Sequence, residues 1–506
     1  MPQRYIEKIL KARVYDVAKE TPLEHARGLS QRLGNQVFLK REDLQSVFSF
    51  KLRGAYNKVA GLSPEACQSG IIAASAGNHA QGVALAGSRL GIRSLIVMPR
   101  TTPAIKVQSV RSLGAKIVLY GDTYDDACSH AMQIVEERSM TFIHPYDDPE
   151  VIAGQGTIAM ELLRQHRGDL NAIFVPVGGG GLIAGIAAFF KYLRPEIKII
   201  GVEPDDAPTL YRALQAGERV VLDQVGIFAD GVAVRQVGEE PFRIARECVD
   251  EVILVSTDEI CAAIKDIFDD TRSIAEPAGA LGVAGMKKYV ERTGVKGAGL
   301  IAINSGANIN FDRLRHVAER AEVGERREAL LAVTIPERVG SFREFCQALG
   351  HHNITEFNYR YADPANAHVF AGIELNDGDA QKNAVIDQLR AKGYPVVDMT
   401  DNEIAKSHIR YMVGGRAPAV SGEALYRFEF PERPGALLRF LTRMGSRWNI
   451  TLFHYRNHGA AYGRVLVGIQ VPPEDAAKFQ GFLDSLGYVY WEETSNPAYG
   501  LFLGKG

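Results

Sequence analysis

The chain has 506 residues, with 58 Lys and Arg against 60 Asp and Glu, a formal net charge of −2 and a pI near 6.7. This near-neutral balance, without any block of basic residues, argues against a nucleic acid or an anionic membrane as partner. The length exceeds one compact core and sets a prior of about three or four domains. No run reaches transmembrane length, and the start Met1-Pro2-Gln3-Arg4-Tyr5-Ile6-Glu7-Lys8 carries no apolar signal core. Five cysteines (Cys67, Cys128, Cys248, Cys261, Cys346) are scattered, with no Cys-x-x-Cys pair. That pattern suits a reducing cytoplasm and predicts no metal site.

Up to about residue 320, apolar runs alternate with helical patterns. Strands are predicted at 37–40, 71–74, 94–98, 116–119, 172–177, 198–202, 251–255 and 299–303. Helical patterns lie between them, for example from Ala104 through Val107 onward and from Glu259 to Asp270. Alternating strands and helices imply parallel sheets covered on both faces.

Four segments within this region carry chemistry. The first is Ser49-Phe50-Lys51-Leu52-Arg53-Gly54-Ala55. An amine held between Phe50 and Leu52 loses hydration, which disfavours its charge and lowers its pKa. A neutral amine can form a Schiff base with a carbonyl compound, although most lysines are simply solvated. The second is Ser75-Ala76-Gly77-Asn78-His79-Ala80-Gln81-Gly82, after the strand ending at Ala74. A helix beginning there presents free N–H groups to a carboxylate or phosphate; equally, Asn78 is a helix cap and His79 a surface histidine. The third is Gly178-Gly179-Gly180-Gly181-Leu182, after the strand Ala172–Val177. Four glycines let backbone approach an anion closely, and the following helix adds its dipole; a plain turn is the competing reading. The run is not a Walker A motif, since no Gly-Lys-Ser/Thr follows. Nor is it Gly-x-Gly-x-x-Gly, although Glu203 mimics the acid that accompanies that pattern. The fourth is Asn304-Ser305-Gly306-Ala307-Asn308, where Ser305 stands at the C-terminal end of a strand, the place at which open α/β sheets bind ligands; it also suits an N-cap.

The charged stretch Ala321–Glu328 reads as a linker, and an internal repeat follows it. Pro336-Glu337-Arg338-Val339-Gly340 returns as Pro431-Glu432-Arg433-Pro434-Gly435, an offset of 95. Asn353-Ile354-Thr355 returns as Asn449-Ile450-Thr451, an offset of 96. Each copy reads strand, glycine turn, helix, strand, strand, helix, strand, which is a ferredoxin-like unit. Between the copies, Val413-Gly414-Gly415-Arg416-Ala417-Pro418 reads as a flexible joint.

In this order the four segments resemble the serine/threonine dehydratase branch of the pyridoxal-phosphate enzymes. The resemblance implies an α/β fold of two lobes, of the tryptophan-synthase-β-like type (fold type II), over residues 1–320, with a smaller lobe at about 45–145. It implies that Lys51 is the Schiff-base lysine and general base, with Phe50 beside the cofactor. It places Asn78 at the cofactor's phenolic oxygen and Gly178, Gly179, Gly180, Gly181 and Leu182 at its phosphate. Ser305 falls at the pyridine nitrogen, and Ser75, Gly77 and His79 in the loop that takes the substrate carboxylate. A serine hydroxyl leaves the ring nitrogen largely unprotonated, which suits β-elimination over transamination. Serine racemases resemble the chain too, but where they carry a second, proton-donating serine this chain has Ala76. Their metal-binding acid also lacks a clear counterpart after Val202-Glu203-Pro204-Asp205-Asp206.

The repeat resembles the ACT domain, an amino-acid-sensing unit, in two ACT-like copies at 328–402 and 424–496. Gly340 and Gly435 fall at the turn that approaches an effector in such units. A double copy is characteristic of the biosynthetic branch. The implied activity is deamination of L-threonine to 2-oxobutanoate and ammonia in a cytoplasmic homotetramer. The implied effectors are isoleucine, which inhibits, and valine, which opposes it. Other readings stand beside this one at the level of sequence: a serine dehydratase or racemase, a cysteine- or cystathionine-type lyase of the same fold, and a non-catalytic amino-acid sensor. A purely structural or dimerising role for the repeat stands as well.

Overall fold

The computed structural model describes residues 2–336, 344–345, 348–350, 352, 354–359, 365–411, 422–431, 440, 443–444, 447–456 and 462–503. The chain divides into two compact units, residues 1–317 and 318–506. Gly340, Gly435 and the joint Val413–Pro418 lie outside the described residues.

The first unit holds two sheets. Strands β1 (Leu23–His25) and β2 (Gln36–Arg41) open the chain; β3 (Ile71–Ala74), β4 (Ser94–Met98), β5 (Lys116–Leu119) and β6 (Thr141–Phe142) follow; β7 (Ala172–Pro176), β8 (Lys198–Pro204), β9 (Glu251–Val255) and β10 (Gly299–Asn304) complete the set. The smaller sheet has the order β5-β4-β3-β6 and is parallel throughout. The larger sheet has the order β1-β2-β10-β7-β8-β9, parallel except for the antiparallel edge pair of β1 and β2. All eight predicted strands are present. The two missed strands, β1 and β6, are three and two residues long.

The inner strands of both sheets (β3, β4, β7, β10) are buried on both faces, and the period-2 alternation of strand side chains sorts residues between two cores. In the larger sheet Ile173, Val175, Ile199, Ile301 and Ile303 face one core. Their neighbours Ala172, Phe174, Ile200, Leu300 and Ala302 face the other. The smaller sheet does the same with Ile71, Ala73, Ile96 and Met98 against Ile72, Ala74, Leu95 and Val97. Local signals start the covering helices. Thr123 and Asp126 form a capping box at the helix Tyr124–Arg138, and Ser256 and Glu259 another at Thr257–Thr271. Proline occupies the first turn of Pro149–Gln165 and of Pro277–Thr293.

In the second unit, the charged stretch expected to be a linker is largely ordered. Residues 321–324 finish the helix Arg313–Gly324, Arg326 turns the chain at φ 55°, and β11 (Glu328–Pro336) begins at once. β12 (Ile354–Tyr359), β13 (Asn366–Glu374) and β14 (Val396–Asp398) complete an antiparallel sheet in the order β12-β13-β11-β14. The second copy repeats it with β15 (Glu423–Pro431), β16 (Asn449–Arg456), β17 (Tyr462–Gln470) and β18 (Val489–Glu492), in the order β16-β17-β15-β18. This is the ferredoxin-like strand order. Even the irregularity is copied, since the register shifts between Ile354 and Glu356 and again between Ile450 and Leu452. Each copy has its own core on one sheet face. The other faces share a third, in which Leu330, Ala332 and Phe370 of the first copy meet Leu425 and Leu466 of the second. Among the described residues no helix is long and apolar enough to cross a membrane.

Candidate active site

Three of the four chemistry-bearing segments leave the C-terminal ends of parallel strands: Ser75–Asn78 after β3, Gly178–Leu182 after β7, and Ser305 directly after β10. The fourth is the start of the helix Lys51–Ala60. The stretch 48–50 is laced to the β10 segment: Phe50 N donates to Ser305 O at 3.2 Å, Ala307 N donates to Phe48 O at 2.9 Å, and Ser49 bridges to Gly306. Phe48 is held at φ 56° by this lacing, a left-handed conformation that costs an aromatic residue about 1–3 kcal/mol and persists only where its surroundings impose it.

Lys51 Nζ donates to Pro145 O at 2.9 Å and lies 5.5 Å from the centre of the Phe50 ring. Burial pulls its pKa down to about 8, and the Glu276 carboxylate acts against that shift. Burial thus acts on this amine in the direction that Phe50-Lys51-Leu52 suggests. The following turn of chain, Tyr146, walls the glycine loop. A Cβ on Gly179 would sit 2.2 Å from the Tyr146 ring, and one on Gly178 would sit 2.9 Å from Val232 Cα. Gly180 has φ +90°, which L side chains rarely adopt. The loop leads into the helix Gly181–Leu193, whose first N–H groups have no partner within the helix. Its geometry, closed to side chains and backed by a helix dipole, is of the kind that suits an anion.

Asn78 opens the helix Asn78–Leu90. A Cβ on Gly77 would meet nothing within 4 Å, so the space before this helix end is open. Ser75 Oγ accepts from Gly77 N at 3.3 Å. His79 is buried and its Nε2 pairs with Ile143 O at 2.7 Å. Burial, then Lys51, pushes its pKa down to about 3, so the ring is neutral and must donate from Nε2 to the carbonyl. The ring therefore has no second N–H to offer. Ser305 is buried and its hydroxyl makes a long 3.4 Å contact to Ala278 O.

Sequence reasoning missed two members of the cluster. Glu276, just before Pro277 at the start of a helix, accepts from Asn78 Nδ2 at 2.6 Å. Asn308 donates from Nδ2 to Asn78 Oδ1 at 2.6 Å. An acid preceding a helix-opening proline was the available signal for Glu276, but it reads first as a favourable charge at a helix end. Glu203 proves to be part of the frame. Its buried carboxylate accepts from Leu210 N at 2.7 Å and Tyr211 N at 2.9 Å, at the start of the helix Thr209–Ala216.

A buried amine, a glycine cradle for an anion, an amide and a hydroxyl, gathered at the C-terminal ends of parallel strands, suit the aldehyde, phosphate, phenolic oxygen and ring nitrogen of pyridoxal phosphate. Comparison with known proteins agrees. The family described as pyridoxal-phosphate dependent enzyme matches residues 14–306. The C-terminal regulatory domain of threonine dehydratase matches twice, at residues 319–409 and 414–503. The chain is 58% identical to the biosynthetic L-threonine dehydratase of Burkholderia multivorans over 503 residues, covering 99% of each. It is 56% identical to that of Pasteurella multocida over 500 residues, covering 99% of this chain and 97% of the relative. A solved structure, the processed form of threonine deaminase isoform 2 from Solanum lycopersicum, is similar with a TM-score of 0.63 at 52% identity. That match covers 64% of this chain and 88% of the other.

Fold and site thus define a pyridoxal-phosphate-dependent enzyme with two lobes, followed by a paired regulatory unit. The chain belongs to the family of biosynthetic threonine dehydratases.

Proposed function

We propose that the chain deaminates L-threonine to 2-oxobutanoate and ammonia as the entry step of isoleucine synthesis. The observation that carries this reading is Lys51, whose amine is depressed by burial at the point where the strand-end loops meet. Lys51, Asn78, Gly178–Leu182 and Ser305 would hold the cofactor, with Phe50 packed beside it. Pyridoxal phosphate supplies an aldehyde for imine formation and a ring that withdraws electrons from the substrate Cα.

The chain's own residues then divide the work. Lys51 Nζ, once free, takes the proton from Cα, which a neutral amine can do and an ammonium cannot. The N–H groups at the start of the helix Asn78–Leu90, with Ser75 and Gly77 beside them, bind the threonine carboxylate and orient its Cα–H toward Lys51. The glycine cradle fixes the anionic end, so that reacting atoms keep one geometry. Ser305, a neutral hydroxyl, cannot hold a proton on the ring nitrogen as a carboxylate would, which favours loss of the β-hydroxyl. Ala76 has no proton to give to the opposite face of Cα, which argues against racemisation.

The paired ACT-like copies are the effector-binding part, with isoleucine as inhibitor and valine as its antagonist, through the turns at Gly340 and Gly435. The enzyme works as a cytoplasmic homotetramer. Inhibition requires that isoleucine bind two states unequally, on the scale of about 1–3 kcal/mol. In a ketoacid assay, the full chain should convert threonine and be inhibited by isoleucine. A chain ending near residue 325 should stay active and ignore isoleucine. Equal inhibition of the shortened chain would place the effector elsewhere, and a full chain that yields no 2-oxobutanoate would refute the activity.

A further inference from the structure

Asn78 stands in a chain of hydrogen bonds whose direction can be read from one end. The Val47 main-chain carbonyl can only accept. Asn308 Nδ2 lies 2.9 Å from it and 2.6 Å from Asn78 Oδ1. The atom Asn308 presents there is therefore its amide nitrogen, and Asn78 must meet it with its oxygen. The Asn78 nitrogen is then turned toward Glu276 Oε1, at 2.6 Å. An amide nitrogen carries two hydrogens; Glu276 takes one, and the second is left for a ligand. We propose that Glu276 and Asn308 are positioning residues that fix the Asn78 amide so that it offers an N–H, and not its carbonyl, to the phenolic oxygen of the cofactor. This rests on the placement of Asn78 at that oxygen under the proposed function.

Packing leaves Glu276 little freedom. It is 4% exposed, and its main-chain N–H donates to Gly306 O at 3.0 Å. A Cβ on Gly306 would lie 2.2 Å from Glu276 Oε1, so only glycine fits beneath the carboxyl. The charged groups facing it are Lys51 on one side and, on the other, Asp230 with its two cations, Lys106 at 2.6 Å and Arg313 at 3.3 Å. Burial, then Asp230, raises the Glu276 pKa to about 7, while Asn78, Lys106 and Arg313 hold it back. Oε1 accepts from Asn78 in either protonation state, but the ionised form adds a negative charge one amide away from the phenolic oxygen.

The test is the visible absorption of the bound cofactor as a function of pH, in folded variants at matched cofactor loading. The wild-type band should change with a midpoint near Glu276's pKa of about 7. Glu276→Gln keeps the acceptor but cannot ionise, so it should retain cofactor affinity and lose that midpoint. Glu276→Ala and Asn308→Ala, which unfix the amide, should each weaken cofactor binding by roughly tenfold, the scale of one lost hydrogen bond. Undiminished cofactor affinity in both alanine variants would overturn the inference. Asn78→Ala separates the two levels. If it alters the band while the Glu276 and Asn308 variants do not, only the positioning role fails. If it too leaves the band unchanged, the placement of Asn78 at the phenolic oxygen fails as well.

Discussion

Lys51→Ala is expected to lower threonine turnover by about 10⁴-fold or more, the scale of removing a group proposed to be both imine partner and general base. Folding should survive. The substitution removes one hydrogen bond, to Pro145 O, and with it an amine whose charged form burial already disfavours. A stability change within roughly 1 kcal/mol is the expectation. Far-UV circular dichroism and thermal unfolding of the cofactor-free variant, beside 2-oxobutanoate production by the loaded one, separate the two effects. Turnover near the wild-type rate in a folded Lys51→Ala enzyme would remove Lys51 from the mechanism.

Arg53→Met, two residues along the same helix, should damage stability instead. Arg53 is fully buried in a closed ionic group with Lys40, Glu42 and Glu161, all with fully buried side chains. Its guanidinium donates to both oxygens of Glu42 at 2.8 Å, to Glu161 Oε1 at 2.6 Å and to Thr157 Oγ1 at 3.1 Å. Lys40 Nζ donates to Thr21 O and Glu161 Oε2, each at 2.6 Å, and to Gln165 Oε1 at 3.0 Å. Two cations balance two anions. Removing one buried partner leaves a carboxylate uncompensated, which costs about 3–5 kcal/mol.

The pH dependence has a definite sign. In the wild type, burial acts to raise the Glu42 pKa, but Arg53, through charge and hydrogen bonds, holds it below the ordinary value. That contributes stability above the unfolded pKa, lost as pH falls through the folded one. Without Arg53, burial wins and the folded pKa rises above the unfolded value. The variant's deficit should therefore shrink as the medium becomes acidic, being smaller at about pH 5 than at about pH 8. Urea unfolding at both pH values measures it. A deficit that is small, or that grows toward acid, would contradict this account of the network.

How much of this was legible in the sequence follows from the range of each interaction. Apolar runs bounded by glycine announced the parallel strands, because strands buried on both faces have nothing polar to alternate with. β1 and β6 were invisible because three and two residues hold no period. The repeat was legible down to its one-residue change of offset, and the two copies share even the register shift of β12 and β16. Lys51 stood out because its neighbours Phe50 and Leu52 are apolar. Arg53 did not, because a charged residue in a helix reads as a solvated one until Glu42 and Glu161 are brought to it. Glu276 and Asn308 were missed for the same reason, since their partner Asn78 lies 198 and 230 residues away. Glycines at helix crossings were equally silent. A Cβ on Gly154 would meet Arg53 O at 2.7 Å, so the helices carrying Lys51 and Glu161 touch backbone to backbone, a requirement that only the packed structure expresses.

Lys51 is proposed as the residue to which the cofactor is joined. Borohydride reduction of the pyridoxal-phosphate-loaded protein, followed by mass mapping of its peptides, tests this in one measurement. A reduced pyridoxyl-phosphate adduct is expected on the peptide containing Lys51, with loss of 2-oxobutanoate formation in proportion to its yield. An adduct on a different lysine, or full labelling of Lys51 with turnover undiminished, would contradict it.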